Sequence, residues 1–156
     1  MNKQRREVLK AGGSLGLLGI LAGIGLLKPE LALADWNKAA FEAKSFEDTL
    51  KALGVTAKPA DSGDIQLNAP DIAENGAVVP VAVVSNIANT QSIAILIEKN
   101  PNALGANFTI PEGTEANVTT RVKMGQTSNV YALIKADGKF FMSMKEVKVT
   151  LGGCGG

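Results

Sequence analysis

The chain has 156 residues, of which 46% are hydrophobic, 20% charged and only 4% aromatic, which supplies one modest core and leaves no room for a second enzyme domain. Formal net charge is +1; residues 1–34 carry five Lys/Arg against two Glu, leaving eleven against thirteen, or −2, for residues 35–156. That balance excludes the basic stripe that nucleic-acid binding requires. Histidine is absent and cysteine occurs once, so the usual ligand sets for zinc, copper, haem or iron–sulfur clusters cannot be assembled from this chain. No cofactor is expected, and serine–histidine and cysteine–histidine catalytic pairs are excluded.

Residues 1–34 read as a removable export signal. Lys3, Arg5, Arg6 and Lys10 form a basic start, a 17-residue apolar stretch follows over residues 11–27, and Ala32-Leu33-Ala34 fits the small-x-small cleavage pattern. Arg5-Arg6 within Gln4-Arg5-Arg6-Glu7-Val8-Leu9-Lys10 resembles the bacterial twin-arginine motif, with Gln4 where Ser or Thr is usual and Val8 where Phe is usual. Six glycines in the apolar stretch lower its hydrophobicity, as such signals require. Seventeen residues lie at the low edge of a spanning helix, and the cleavage pattern favours removal over a permanent membrane anchor. The expected destination is the periplasm, by the twin-arginine route.

Residues 35–54 are the N-terminal helical segment. Trp36, Ala39, Ala40, Ala43, Phe46, Leu50 and Leu53 approximate an amphipathic stripe, and Gly54 suits a C-terminal cap. Ser45 followed by Asp48 is a second start signal, so two short helices are an alternative to one. Residues 56–64 read as a polar connection.

From residue 65 the period is two. Strands are expected at 65–67, 78–84, 92–98, 106–110, 116–124, 128–135 and 139–151, with residues 71–76 as a turn. Pro80 lacks an amide donor, so its strand is either an edge or pairs only beyond the proline. Ile93, Ile95 and Ile97 share one face. Val118, Thr120, Val122 and Met124 oppose Asn117, Thr119, Arg121 and Lys123, which leaves one face of that strand wet. Asp137-Gly138 is the dipeptide suited to a type I′ hairpin turn. Strands separated by turns, without intervening helices, predict a mainly β fold over residues 55–151: an immunoglobulin-like antiparallel β-sandwich with an N-terminal helical segment. The last strand is expected to run at the edge of its sheet and release residues 152–156 as a flexible arm.

That arm is Gly152-Gly153-Cys154-Gly155-Gly156. Glycine has no Cβ and the widest backbone freedom, so two on each side present the thiol rather than pack it. A free cysteine is ordinarily buried, and an exposed one in an oxidising compartment is a liability unless it is used. At about 3.3–3.6 Å per residue, the three residues beyond Leu151 carry the sulfur about 10 Å from the last packed side chain, within reach of another protein's cleft. A structural β-domain joined to a second chain by an intermolecular disulfide is the alternative. A ubiquitin-like carrier activated at Gly156 is a further one, against which the leader and the cysteine position both count.

The C-terminal run Val147-Lys148-Val149-Thr150-Leu151-Gly152-Gly153-Cys154-Gly155-Gly156 resembles the SoxY family. So do the segment Ala69-Pro70-Asp71-Ile72-Ala73-Glu74-Asn75-Gly76-Ala77-Val78-Val79-Pro80-Val81, the Asn100-Pro101 break and the twin-arginine leader. SoxY is the sulfur-carrier subunit of the bacterial Sox system for thiosulfate oxidation. The resemblance implies a substrate carrier rather than an enzyme, with Cys154 as the covalent attachment site and the flanking glycines as its tether. It also implies a heterodimer with a SoxZ-like subunit, and service to three Sox enzymes: a haem c-containing sulfur-conjugating enzyme, a sulfate-releasing hydrolase and a sulfur dehydrogenase.

Overall fold

A computed structural model describes residues 37–150. The helical segment divides in two, α1 (Lys38–Glu42) and α2 (Phe46–Ala52). Asn37 caps α1, its Oδ1 accepting from the Ala40 amide at 3.1 Å, while its Nδ2 donates to the Ala52 carbonyl at 2.9 Å and so ties the start of one helix to the end of the other. Ser45 restarts the chain as the α2 cap, its Oγ accepting from the Asp48 amide at 3.0 Å, which is the second start signal visible in the sequence. Glu47 and Asp48 in the first turn and Lys51 in the last complement the helix dipole. The helix ends as expected at Gly54, which takes φ +88°. The Gly54 amide donates to the Lys51 carbonyl at 2.9 Å and the Val55 amide to the Leu50 carbonyl at 3.0 Å, the paired bonds of a Schellman motif.

Nine strands follow: β1 (Ala60–Asp61), β2 (Ile65–Asn68), β3 (Ile72–Ala73), β4 (Val79–Ser85), β5 (Thr90–Ile97), β6 (Leu104–Thr109), β7 (Asn117–Val122), β8 (Ser128–Ala136) and β9 (Lys139–Val149). They form a mainly β, immunoglobulin-like sandwich. One sheet runs β1-β9-β8-β5-β6 with β3 also on β9; the other runs β2-β4-β7. Asp137 at φ +48° and Gly138 at φ +71° make the β8–β9 turn, and two positive φ values in succession are the type I′ signature expected there.

The core between the sheets is built by alternation. Val79, Val81 and Val83 of β4 face Ile93, Ile95 and Ile97 of β5 and Val130, Ala132 and Ile134 of β8, and all nine are fully buried. Completely burying an aliphatic side chain of this size stabilises the fold by roughly 1.5–3 kcal/mol. On the opposite face of the larger sheet, Ala94, Leu96, Leu104 and Leu133 pack with Ala40 and Val55, against which Phe41, Phe46, Leu50 and Leu53 close. The helix pair is therefore a third layer, and β5 is buried on both faces. β7 keeps the expected division, with Val122 buried and Asn117, Thr119 and Arg121 exposed. The buried hydroxyls are satisfied: Thr49 donates to the Ser45 carbonyl, Ser85 bonds Thr90, and Ser128 accepts from the Lys99 amide.

Three expectations need correction. The stretches 56–64 and 71–76 each contain a two-residue strand, and both pair parallel to β9, Ala60–Asp61 beside Phe141 and Met142, Ile72–Ala73 beside Lys148 and Val149. The sandwich is thus antiparallel apart from these two short ladders. Pro80 does not mark an edge, because β4 is the central strand of its sheet. The pairing-beyond-proline alternative holds on the β2 side, where the ladder stops at Asn68 opposite Ala82. Last, β9 is the outermost long strand of its sheet, as expected, but its outer side is covered at two places by β1 and β3.

Candidate functional site at the end of the last strand

Cys154 and its neighbours Gly152, Gly153, Gly155 and Gly156, together with Leu151, lie outside the described residues. What the structure describes is the root from which they continue. β8 pairs with β9 from Ala136 opposite Lys139 to Ser128 opposite Val147, and there β8 begins, so the last residues of β9 have no antiparallel partner. Their amides are nevertheless held one after another. The Lys148 amide donates to the Asp71 carbonyl at 2.9 Å and the Thr150 amide to the Ala73 carbonyl at 3.1 Å, both on the β3 side. Between them, the Val149 amide points the other way and donates to Thr127 Oγ1 at 3.0 Å. Successive strand amides alternate in direction, and the Thr127 hydroxyl stands where the next backbone acceptor of β8 would be.

Behind β3 the chain returns through Asn75 and Gly76. The Asn75 side chain accepts from the Ala77 amide at 2.9 Å, and the Gly76 carbonyl accepts from the Met124 amide at 2.6 Å. Gly76 is buried, and a Cβ there would come within 2.4 Å of the Met124 carbonyl oxygen and 2.8 Å of Val149 Cγ1. Only glycine permits this approach of the turn to β9. Lys145 braces the start of the same segment, its Nζ donating to the Ala69 carbonyl at 2.6 Å and lying 3.0 Å from Asp71 Oδ1. The partner carboxylate is 88% exposed, so the carbonyl contact contributes the order and the ion pair adds little.

The chemistry available along these residues is sparse. Among the described residues no three His, Cys, Asp or Glu side chains gather as a metal site. An open groove of about 310 Å³ beside β2 and β4 is lined by Asn68, Ala69, Pro70, Pro80, Val81, Ala82 and Thr119, none of them ionisable. Tyr131 has its pKa raised, by burial and then by the charge of Glu98. It serves the packing of α2 rather than β9, since its ring lies 4.7 Å from Phe46.

Sequence reasoning reached the last strand and missed what holds its end. Thr127 sits in an ordinary polar stretch, Gln126-Thr127-Ser128, that carries no motif. Asn75-Gly76 is a turn signal, and its second role, close approach to a strand distant in sequence, has no local signature.

The β-sandwich holds its chain through Thr150, and the sequence places a glycine-flanked cysteine four residues further on. Comparison with known proteins gives the class, a sulfur carrier. The family model for the sulfur oxidation protein SoxY matches residues 50–154. The solved structure of the sulfur carrier protein SoxY from Chlorobium limicola f thiosulfatophilum is 34% identical, with a TM-score of 0.62 over 67% of this chain and 96% of that one. The chain belongs to the SoxY family of sulfur-oxidation carrier proteins. Two more distant structures also match at 12% identity: a chain from a structure on T cell specificity and activation by the bacterial superantigen toxic shock syndrome toxin-1 (TM-score 0.39, 55% of this chain and 98% of that one), and the human F-spondin reeler domain (TM-score 0.37, 60% and 93%). No curated protein sequence matches the chain.

Proposed function

We propose that the chain carries thiosulfate-derived sulfur covalently on Cys154 and presents it in turn to the enzymes of the Sox system. The observation that carries this reading is the extent of the family match, which runs through the β-sandwich and ends at residue 154, the position of the single cysteine in the chain. In the first step the Cys154 thiolate and the outer sulfur of thiosulfate join as a cysteine S-thiosulfonate, and the two electrons released pass one at a time to a haem-containing partner enzyme and on to its electron acceptor. Hydrolysis with one water then releases sulfate and two protons, leaving a persulfide on Cys154 for a sulfur dehydrogenase. Every step is performed by a partner, and the carrier contributes a reachable sulfur.

The residues around Cys154 fit a passive handle. Leu151 and the four glycines bring no basic side chain that would lower the thiol pKa, so the thiolate forms in the accepting enzyme. We further propose that residues 1–34 are removed on export through the twin-arginine route, that the mature chain works in the periplasm, and that it pairs there with a SoxZ-like subunit. Mass spectrometry of the C-terminal peptide, after incubation with thiosulfate and the Sox enzymes, tests the central claim. Thiosulfonate and persulfide adducts are expected on Cys154 and on no residue of Cys154→Ser. Adducts that persist in Cys154→Ser would overturn it.

A further inference from the structure

We infer that Thr127 and β3 form a clasp that holds the chain from Lys148 to Thr150, and that Thr127 is therefore a positioning residue for delivery of the Cys154 sulfur. The inference rests on the carrier reading and adds to it the mechanism that sets the reach. Antiparallel pairing ends at Val147, yet the amides of Lys148, Val149 and Thr150 are each hydrogen-bonded, the outer two to Asp71 and Ala73 and the middle one to Thr127 Oγ1. None of these acceptors belongs to the antiparallel partner strand. The clasp is assembled from β3, with Asp71 just before it, and from the loop that carries Thr127, two segments distant in sequence from each other, and Gly76 lets the first press on Val149.

The consequence is geometric. With the clasp closed, the chain is held through Thr150; with it open, it is held only to Val147. Three more residues add about 10 Å of contour at 3.3–3.6 Å per residue. A longer tether spreads the sulfur over a larger volume and lowers its effective concentration at any one cleft. Thr127 is the member that can be altered without touching the backbone. Valine is nearly its isostere and cannot accept a hydrogen bond, so Thr127→Val leaves the Val149 amide without its partner, whereas Thr127→Ser keeps the acceptor.

The test compares native, Thr127→Val and Thr127→Ser full-length chains by amide hydrogen exchange and by sulfur loading. Loss of one hydrogen bond of this kind predicts about 5- to 10-fold faster exchange at Val149 in Thr127→Val, with Lys148 and Thr150 rising alongside and Thr127→Ser close to native. Loading of Cys154 from thiosulfate by the haem enzyme should slow several-fold in Thr127→Val and recover in Thr127→Ser. Reaction of Cys154 with a small aromatic disulfide should be equal in all three, because the thiol itself is unaltered. Unchanged exchange in Thr127→Val overturns the clasp, and raised exchange with unchanged loading overturns the positioning role. If the native chain takes up no sulfur on Cys154, the carrier reading fails instead, and exchange alone then decides the clasp.

Discussion

Tyr131 shows how a side chain's surroundings become a measurable property. Its ring meets Phe46 at 4.7 Å and 44°, and its hydroxyl donates to Glu98 Oε2 at 3.4 Å. Burial, followed by the Glu98 charge, disfavours the phenolate and raises the pKa above the usual 10.0. The sign follows from linkage. Below the ordinary tyrosine range both folded and unfolded states keep the proton, and the contribution is intact. As pH rises past the ordinary value the unfolded chain loses its proton first, so stability falls until the folded pKa is passed. The urea midpoint of the native protein should therefore drop more steeply above about pH 10 than that of Tyr131→Phe. With one tyrosine in the chain, tyrosinate absorbance reads the titration directly, and a midpoint at or below the ordinary value would contradict it. At this scale Gly54 was legible because helix ends have a local signature. Thr127 was not, because its partner amide lies 22 residues away.

Among the elements, β5 packs on both of its faces. Its alternation puts Ile93, Ile95 and Ile97 into the core between the sheets, while Ala94 and Leu96 face the helix pair. Leu96→Ala should cost about 2–5 kcal/mol by urea unfolding, the range for truncating a buried leucine. A loss well under 1 kcal/mol would mean that α1 and α2 do not seal that face. The same variant should speed amide exchange in α2, whose Phe46 and Leu50 pack against the Leu96 cluster. Periodicity exposed β5, β7 and β8 because each is long enough to repeat. It did not expose β1 and β3, since two residues establish no period, and a parallel ladder to a strand more than 70 residues away leaves no local trace.

For the molecule as a whole, the sandwich holds its last described residues, Lys148 to Thr150, in a defined place. On the proposed carrier reading, replacing Gly152 and Gly153 by proline removes backbone freedom from the tether. Turnover with the Sox enzymes should fall several-fold while the urea midpoint stays within about 0.5 kcal/mol of native, as for changes remote from packed structure. A large loss of stability, or unchanged turnover, would argue against a swinging tether. The partition between sequence and structure follows from the range of the forces involved. Composition removed histidine chemistry and the metal sites that need nitrogen and sulfur ligands, period marked the long strands, local turn rules marked Ser45, Gly54 and Asp137-Gly138, and residue type singled out Cys154 among its glycines. Each of these signals is carried by neighbours in sequence. Which strand lies at the centre of each sheet, the burial of β5 on both faces, and the clasp of Asp71, Ala73 and Thr127 on the last three described residues were decided only by the tertiary structure. Those features depend on hydrogen bonds and contacts between segments distant along the chain, where geometry, and not local preference, sets the partner.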